Sequence, residues 1–141
     1  MDIWEELYEA ARTVQRGREI SPFIEAGGVA AAIRTKSGNT YVGVCIDTAS
    51  SLGMCAERSA MFWAGANYPD FPMDTLAIAG SDHGVLCESP ASPCGACRQV
   101  MAEYQKKHGK PMKIILVGSK RIRKFGCVDD LLPFIFDSLS M

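Results

Sequence analysis

The sequence carries almost no net charge, and this limits the partners it can bind. Its 15 lysines and arginines are balanced by 16 aspartates and glutamates, which gives a formal net charge of −1. A chain without a global positive field lacks the attraction that holds a polyanion. The one basic cluster, residues 120–124, is typical of a solvated turn or an edge strand. We therefore expect no nucleic-acid partner.

Long apolar runs are absent as well. No window approaches the roughly 18 consecutive apolar residues that a membrane-spanning helix requires. The opening Met-Asp-Ile-Trp-Glu-Glu contains neither the basic segment nor the apolar stretch of a targeting peptide. We expect a cytoplasmic protein without a membrane partner.

The length of the chain is that of one domain. Its 141 residues, of which 48% are hydrophobic, suffice for one core but not for two domains of ordinary size. No linker or repeat interrupts the sequence. We therefore expect residues 1–141 to form a single domain.

Hydrophobic periodicity predicts an alternating order of helices and strands. The turn Lys-Ser-Gly-Asn favours a hairpin near the start, and the later strand–helix–strand order favours parallel crossovers. These patterns predict an α/β fold: a single three-layer domain with a mixed, mostly parallel five-stranded sheet and helices on both faces. The expected helices are residues 3 to about 18, 55–66 and 94 to about 107, and the expected strands are 29–34, 40–44, 76–79, 114–117 and 125–128.

Cysteines stand out at the predicted starts of two helices. In a reducing compartment, cysteines are ligands or core residues more often than disulfides. Cys94 and Cys97 are spaced i and i+3, so they share one face of a helical turn and can hold one ion, with Cys55 as a third ligand. A helix N-terminus also lowers the pKa of a thiol, which favours the thiolate form that binds zinc. The six cysteines are Cys45, Cys55, Cys87, Cys94, Cys97 and Cys127.

Two residues beside Cys55 complete a catalytic pattern. Three protein ligands leave a fourth tetrahedral position open for water, and zinc lowers the pKa of that water to roughly 7. Glu57 can reach the water without binding the ion, and it can carry a proton to a substrate. Three thiolates on Zn²⁺ leave a charge of about −1, which Arg58 can offset by donating hydrogen bonds to the sulfurs.

Together, Cys-Ala-Glu-Arg and Ser-Pro-Cys-Gly-Ala-Cys-Arg-Gln-Val closely resemble the cytidine deaminase family, specifically its short-chain type with three cysteine ligands. The resemblance covers most of the chain, from the hairpin to the closing Asp-Leu-Leu-Pro-Phe-Ile-Phe. It implies that Zn²⁺ is the cofactor and that Cys55, Cys94 and Cys97 are its ligands. It also makes Glu57 the proton shuttle and places the backbone of Ala56 against the base.

The resemblance implies a function and an assembly. The expected reaction is zinc-dependent hydrolytic deamination of cytidine or deoxycytidine to uridine or deoxyuridine, with release of ammonia, as part of pyrimidine salvage. The partner is then a small-molecule nucleoside. The family also implies a homotetramer, in which the C-terminal segment with Phe134 and Phe136 lies near a neighbouring subunit's active site.

The sequence departs from the family where the sugar is recognised. Typical members carry Asn-x-Glu at the end of the second strand, and these side chains hold the ribose hydroxyls. Cys45 and Asp47 occupy the matching, substrate-binding positions here. Family members usually carry a phenylalanine that stacks on the base just before the first strand, and Phe23 lies in that region. The Ile-Glu-Ala-Gly-Gly that follows leaves the register of Phe23 relative to that position open. Members that deaminate blasticidin S also depart here, so a cytosine-bearing analogue is an alternative substrate.

Other interpretations stay open at this point. A Cys-x-x-Cys pair also occurs in redox proteins and in structural zinc sites, and Cys45 as a fourth thiol would close the site. A non-catalytic, zinc-stabilised binding module would fit the altered sugar segment, but it gives no reason for Glu57 and Arg58. A polynucleotide deaminase would share the zinc chemistry but would be expected to carry more positive charge.

Overall fold

The computed structural model describes residues 2–50, 53–82 and 85–136. A short 3₁₀ helix, Val128–Asp130, follows the last strand. In chain order, the other elements are α1 (Ile3–Val14), β1 (Arg18–Ser21), β2 (Ile24–Thr35), β3 (Thr40–Thr48), α2 (Ala56–Asn67), β4 (Met73–Asp82), β5 (Val85–Leu86), α3 (Gly95–His108), β6 (Lys113–Val117) and β7 (Ile122–Phe125).

Helix α1 begins at a capping box. The backbone N–H of Asp2 donates to the Glu5 carboxylate at 2.9 Å, while the Asp2 side chain caps the first turn. Leu7 and Ala11 are buried against the sheet. The helix ends at Val14, earlier than its periodicity predicts, because the residues from Arg18 onward pair with β2 as an additional strand.

Strands β2 and β3 form the predicted hairpin. Gly38 lies in its turn with a φ of +89°, and Ile33 pairs with Tyr41 just inside it. Both strands are longer than predicted. The register of β2 shifts between Ala26 and Ala30, where Gly27 adopts a φ of +83°. A Cβ at position 27 would also overlap the carbonyl oxygen of the Arg16 backbone, so this β-bulge requires glycine.

The sheet is mixed, as predicted, but it contains seven strands rather than five. The order β3-β2-β4-β6-β7 supplies five of them, and the short β1 and β5 are additional. The prediction of a mostly parallel sheet is wrong, because among the described strands only β4 and β6 pair in parallel. Strands β3 and β4 run in the same direction, as the crossover through α2 requires. However, β2 lies between them and is antiparallel to both.

Two apolar clusters cover the two faces of the sheet. Successive residues of a strand point to opposite faces, so alternate positions of β2, β4 and β6 contribute to different clusters. One face, with Ile33 and Ile78, packs against α2 and α3, and the other, with Ala32 and Ala77, packs against α1. The predicted three layers, with helices on both faces, are therefore confirmed. Across the described ranges, every helix is too short or too polar to cross a membrane.

Gly27→Ala should destabilise the domain. Alanine would have to adopt a left-handed backbone conformation and would press its Cβ against the Arg16 backbone. We expect the free energy of unfolding to fall by at least about 2 kcal/mol, measured by urea denaturation. Gly28→Ala is the matched control, since nothing lies within 4 Å of a Cβ at that position. Equal effects of the two changes would contradict this account of the bulge.

Candidate active site

The starts of two helices bring three thiols together. Cys55 is the N-cap of α2 and Cys94 is the N-cap of α3, while Cys97 lies in the first turn of α3. The Cys94 sulfur accepts a hydrogen bond from the Cys97 backbone N–H at 3.4 Å, in the manner of a capping oxygen. The Sγ atoms of Cys55 and Cys94 are 3.6 Å apart, and all three Sγ atoms lie within 4.8 Å of one another.

These spacings suit a zinc ion. Two sulfurs bound at about 2.3 Å in a tetrahedron lie about 3.8 Å apart, close to the separation of the Cys55 and Cys94 sulfurs. In the described part of the chain, the three cysteines are the one group of metal-ligating side chains placed in this way. Cys45 is not part of the group. Three soft donors would therefore leave a fourth position of the ion open.

Glu57 lies beside the thiols and is 5% exposed. Its Oε2 atom is 3.8 Å from the Sγ atom of Cys97, whose thiol donates to it. Burial raises the pKa of the Glu57 carboxyl above its ordinary value, against the opposing effects of a backbone N–H, the Cys97 thiol and the Arg58 charge. A carboxyl with a raised pKa can both accept and return a proton closer to neutral pH.

Arg58 faces the sulfurs from α2. Its Nη2 atom donates to the Cys55 Sγ atom at 3.5 Å. Hydrogen bonds to Cys55 and then to Cys97 raise the pKa of the guanidinium, so it stays charged. Its Nε atom is buried and has no hydrogen-bond partner among the described residues. The Nη2 atom of Arg58 thus donates to a thiol, as the offset of thiolate charge requires.

The pKa values of Cys94 and Cys97 are shifted in opposite directions. The pKa of the Cys94 thiol is lowered overall. Burial alone would raise it, but hydrogen bonds from the Cys97 N–H and the neighbouring thiols have the larger combined effect. Burial followed by the nearby Glu57 charge raises the pKa of Cys97. A metal ion held between the sulfurs would stabilise the thiolate form of each.

The segment before Cys55 runs beside β3. The N–H of Ile46 donates to the carbonyl oxygen of Met54 at 3.0 Å, and the reverse bond is 2.9 Å. Closer to the hairpin, a Cβ at Gly43 would lie 2.7 Å from the carbonyl oxygen of Ala56, so β3 packs directly on the first turn of α2. Ala56 itself is fully buried at that turn.

Cys45 and Asp47 share one face of β3, since they flank Ile46. The Cys45 sulfur accepts a hydrogen bond from the Val29 backbone N–H at 3.2 Å. Asp47 is exposed and lines a cavity of about 420 Å³. None of the three clustered cysteines lines this cavity. Its other lining residues include Arg18, Glu19, Glu25, Gly28 and Ser81.

Sequence reasoning missed most residues of this cavity. They come from β1, β2 and β4 as well as β3, and only the folded sheet brings them together. Phe23 lies in the turn between β1 and β2, with 69% of its surface exposed. Its stacking on a base stays a prediction. Arg98 was also missed as a site residue, although it directly follows Cys97 in the motif that carries the resemblance.

Comparison with known proteins connects this geometry to a family. No protein-family model matches the chain. The cytidine deaminase of Halalkalibacterium halodurans is 45% identical over 78 residues, which cover 53% of this chain and 53% of the relative. That match therefore spans about half the length of the curated relative.

Solved structures match over nearly the whole chain. The cytidine deaminase of Mycobacterium tuberculosis is 26% identical with a TM-score of 0.68, covering 97% of this chain and 99% of that one. The cytidine deaminase of Burkholderia pseudomallei is 32% identical with a TM-score of 0.75, covering 96% of this chain and 100% of that one. With the three-cysteine cluster at the matching motifs, this similarity shows that the chain belongs to the cytidine deaminase family of zinc-dependent hydrolases.

Proposed function

We propose that the protein hydrolyses cytidine or deoxycytidine to uridine or deoxyuridine and releases ammonia, as a step of pyrimidine salvage. The observation that carries this proposal is the cluster of Cys55, Cys94 and Cys97, with the Glu57 carboxyl 3.8 Å from one of the sulfurs. A closed structural site would not need a buried carboxylate at its edge. An open three-thiol site with a proton carrier has the parts of a hydrolytic catalyst.

The three cysteines and Glu57 have different roles in this reaction. Cys55, Cys94 and Cys97 would hold the zinc ion, which would supply the acidity that makes water a nucleophile at neutral pH. Glu57 accepts the proton lost by the attacking water and delivers a proton to the amine that leaves as ammonia. Its burial keeps the carboxyl out of bulk water, and its raised pKa suits a group that must take and give a proton.

Arg58 and Ala56 have supporting roles in this proposal. Arg58 donates to the Cys55 sulfur and so reduces the excess negative charge that would oppose hydroxide formation. The backbone of Ala56, at the first turn of α2, contacts the base. Recognition of the base therefore depends on the same helix start that positions Cys55.

A cytosine-bearing analogue with a replaced sugar is the second candidate substrate. The observation that favours it is the hydrogen bond from the Val29 N–H to the Cys45 sulfur. That thiol is a weak donor and already has a backbone partner, so it is a poor ligand for a ribose hydroxyl. Asp47 is one methylene shorter than glutamate and faces a cavity with Glu19 and Glu25. Acidic walls suit an uncharged or cationic substituent better than a phosphate.

We also propose a cytoplasmic homotetramer. Phe134 is 93% exposed and Trp63, on α2, is 58% exposed, so large aromatic side chains face outward on an isolated chain. Contact with neighbouring copies would cover them. The six cysteines, which are free thiols in the structure, would remain thiols in a reducing compartment.

Glu57→Gln should abolish most turnover while leaving the fold and the zinc in place. Glutamine keeps the size of the side chain but cannot carry a proton, so kcat should fall by roughly 10²- to 10⁴-fold. Turnover is measured on cytidine and deoxycytidine, with the uracil products identified by mass spectrometry. Near-normal turnover would mean that another group moves the proton.

The control for that experiment is the zinc content. Glu57→Gln should retain one zinc per chain, whereas Cys55→Ser combined with Cys94→Ser and Cys97→Ser should retain none. Metal retained by the triple variant would contradict the proposed ligands. A wild-type protein that holds zinc but deaminates no cytosine compound would instead favour the binding-module alternative.

Changing Cys45→Asn and Asp47→Glu together should lower KM for cytidine by roughly 3- to 10-fold, because one neutral hydrogen bond contributes about 1 kcal/mol. An asparagine oxygen can still accept from the Val29 N–H, while its amide is free to meet a hydroxyl. Ile46→Val is the matched control on the opposite face of β3. Tight binding of cytidine by the wild type, weakened by the double change, would refute this view of the sugar site.

Light scattering should give a mass four times that of the 15.3 kDa chain. The exposed aromatic side chains of α2 and the C-terminal segment provide the apolar surface that such an assembly buries. The measurement is repeated across a range of protein concentrations, with turnover followed in parallel. A stable monomer with full activity would show that Phe134 and Phe136 do not complete a neighbour's site.

A further inference from the structure

We propose that Arg98 is a positioning residue for the metal centre, because its guanidinium links the loop that carries Cys94 to the C-terminal segment. The loop is residues 87–94, and the C-terminal segment is residues 128–136. This inference rests on the proposed function, since it assigns the residue that holds one zinc ligand in place.

The three guanidinium nitrogens of Arg98 have three different acceptors. Nε donates to the carbonyl oxygen of Pro93 at 2.9 Å, and Nη2 donates to the hydroxyl of Ser92 at 2.8 Å. Nη1 donates to the carbonyl oxygen of Leu131 at 3.0 Å. Two bonds thus hold the residues just before Cys94, and the third reaches 33 positions along the chain. The planar guanidinium fixes the angles between these bonds in a way that an ammonium cannot.

Cys94 itself is joined to α3, because its Sγ atom accepts from the Cys97 N–H at 3.4 Å and its carbonyl oxygen accepts from the Arg98 N–H at 3.0 Å. The loop residues just before Cys94 have few such bonds. The loop contains no helix or strand, and prolines at positions 90 and 93 lack an N–H to donate. Its far end is fixed where the N–H of Ser119 donates to the carbonyl oxygen of Cys87 at 2.9 Å. At the metal end, Arg98 supplies the bonds to Ser92 and Pro93. Cys97 lies inside the first turn of α3, so its position depends less on the loop.

Described hydrogen bonds join the C-terminal segment to three side chains of α3. Gln105 accepts from the Val128 N–H at 3.0 Å, and Gln99 exchanges two hydrogen bonds with the Phe136 backbone, of 2.6 and 3.2 Å. Arg98 joins the segment between these two positions, at Leu131. Among these three α3 side chains, Arg98 is the one whose described hydrogen bonds also reach the cysteine loop. Gln99 therefore provides a matched control that docks the same segment without touching the loop.

Arg98→Ala should weaken zinc binding by about 10- to 100-fold, the usual effect of removing a group that orients a metal ligand. The measurement is competition with a chromogenic zinc chelator. Gln99→Ala should bind zinc as the wild type does. Arg98→Lys keeps the positive charge but cannot make the three guanidinium hydrogen bonds together, so its zinc affinity should lie between those of Arg98→Ala and the wild type. In Co²⁺-substituted protein, the thiolate-to-metal absorption bands should shift in Arg98→Ala and return toward wild type in Arg98→Lys.

A second measurement uses the metal-free protein. Hydrogen exchange of the Cys97 amide, which donates to the Cys94 Sγ atom at 3.4 Å, should quicken in Arg98→Ala and not in Gln99→Ala. Ser92→Ala should lie between Arg98→Ala and wild type. Wild-type zinc affinity and exchange in a folded Arg98→Ala variant would overturn the proposal. Equal losses in Arg98→Ala and Gln99→Ala would overturn it too, by assigning the effect to docking of the segment. A wild-type chain without zinc would defeat the proposed function, while the exchange experiment would still decide the role of Arg98.

Discussion

The structure depends on the meeting of two helix N-termini. α2 and α3 begin at cysteines whose sulfurs are 3.6 Å apart, so the positive ends of both helix dipoles face the same small volume. Of the sulfurs there, that of Cys94 accepts a backbone N–H and its thiol has a lowered pKa, whereas burial raises the pKa of the Cys97 thiol. The sheet positions both helix starts, since β3 leads into α2 and the chain continues from β4 through β5 to the start of α3.

Charge around that volume is balanced by neighbours of different kinds. Arg58 contributes a fixed positive charge against the Cys55 sulfur, and Glu57 contributes an acid whose ionisation burial opposes. If Glu57 were ionised next to three thiolates, the negative charges would repel one another strongly. The same burial that restrains its ionisation gives it the capacity to hold a proton. Burial of Glu57 therefore limits the negative charge of the site and also raises the pKa that proton transfer requires.

Local patterns were enough to predict the hairpin, both helix starts at Cys55 and Cys94, and the cluster of three thiols. These features depend on residues close in sequence or on motif spacing. Strand β1 was missed because its Arg-Glu-Ile-Ser sequence is mostly polar and exposed, and its pairing with β2 is what makes it a strand. The sheet was wrongly predicted to be mostly parallel, because β2 lies between β3 and β4 and pairs antiparallel with both. That strand order depends on contacts across the whole sheet and not on local sequence. Arg98 was missed for a similar reason, since its acceptor Leu131 is distant in sequence.

The separation of 39 residues between Cys55 and Cys94 gives the metal site a second consequence. An ion bound by both thiols closes a loop that contains all of α2 and the middle strand of the sheet, β4. The unfolded chain does not hold these thiols together, so the ion would bind the folded state and its binding free energy would add to the free energy of unfolding. Zinc would then connect the starts of α2 and α3 through sulfur without the oxidation that a disulfide requires. A catalyst that loses its ion would lose part of its resistance to unfolding along with its chemistry.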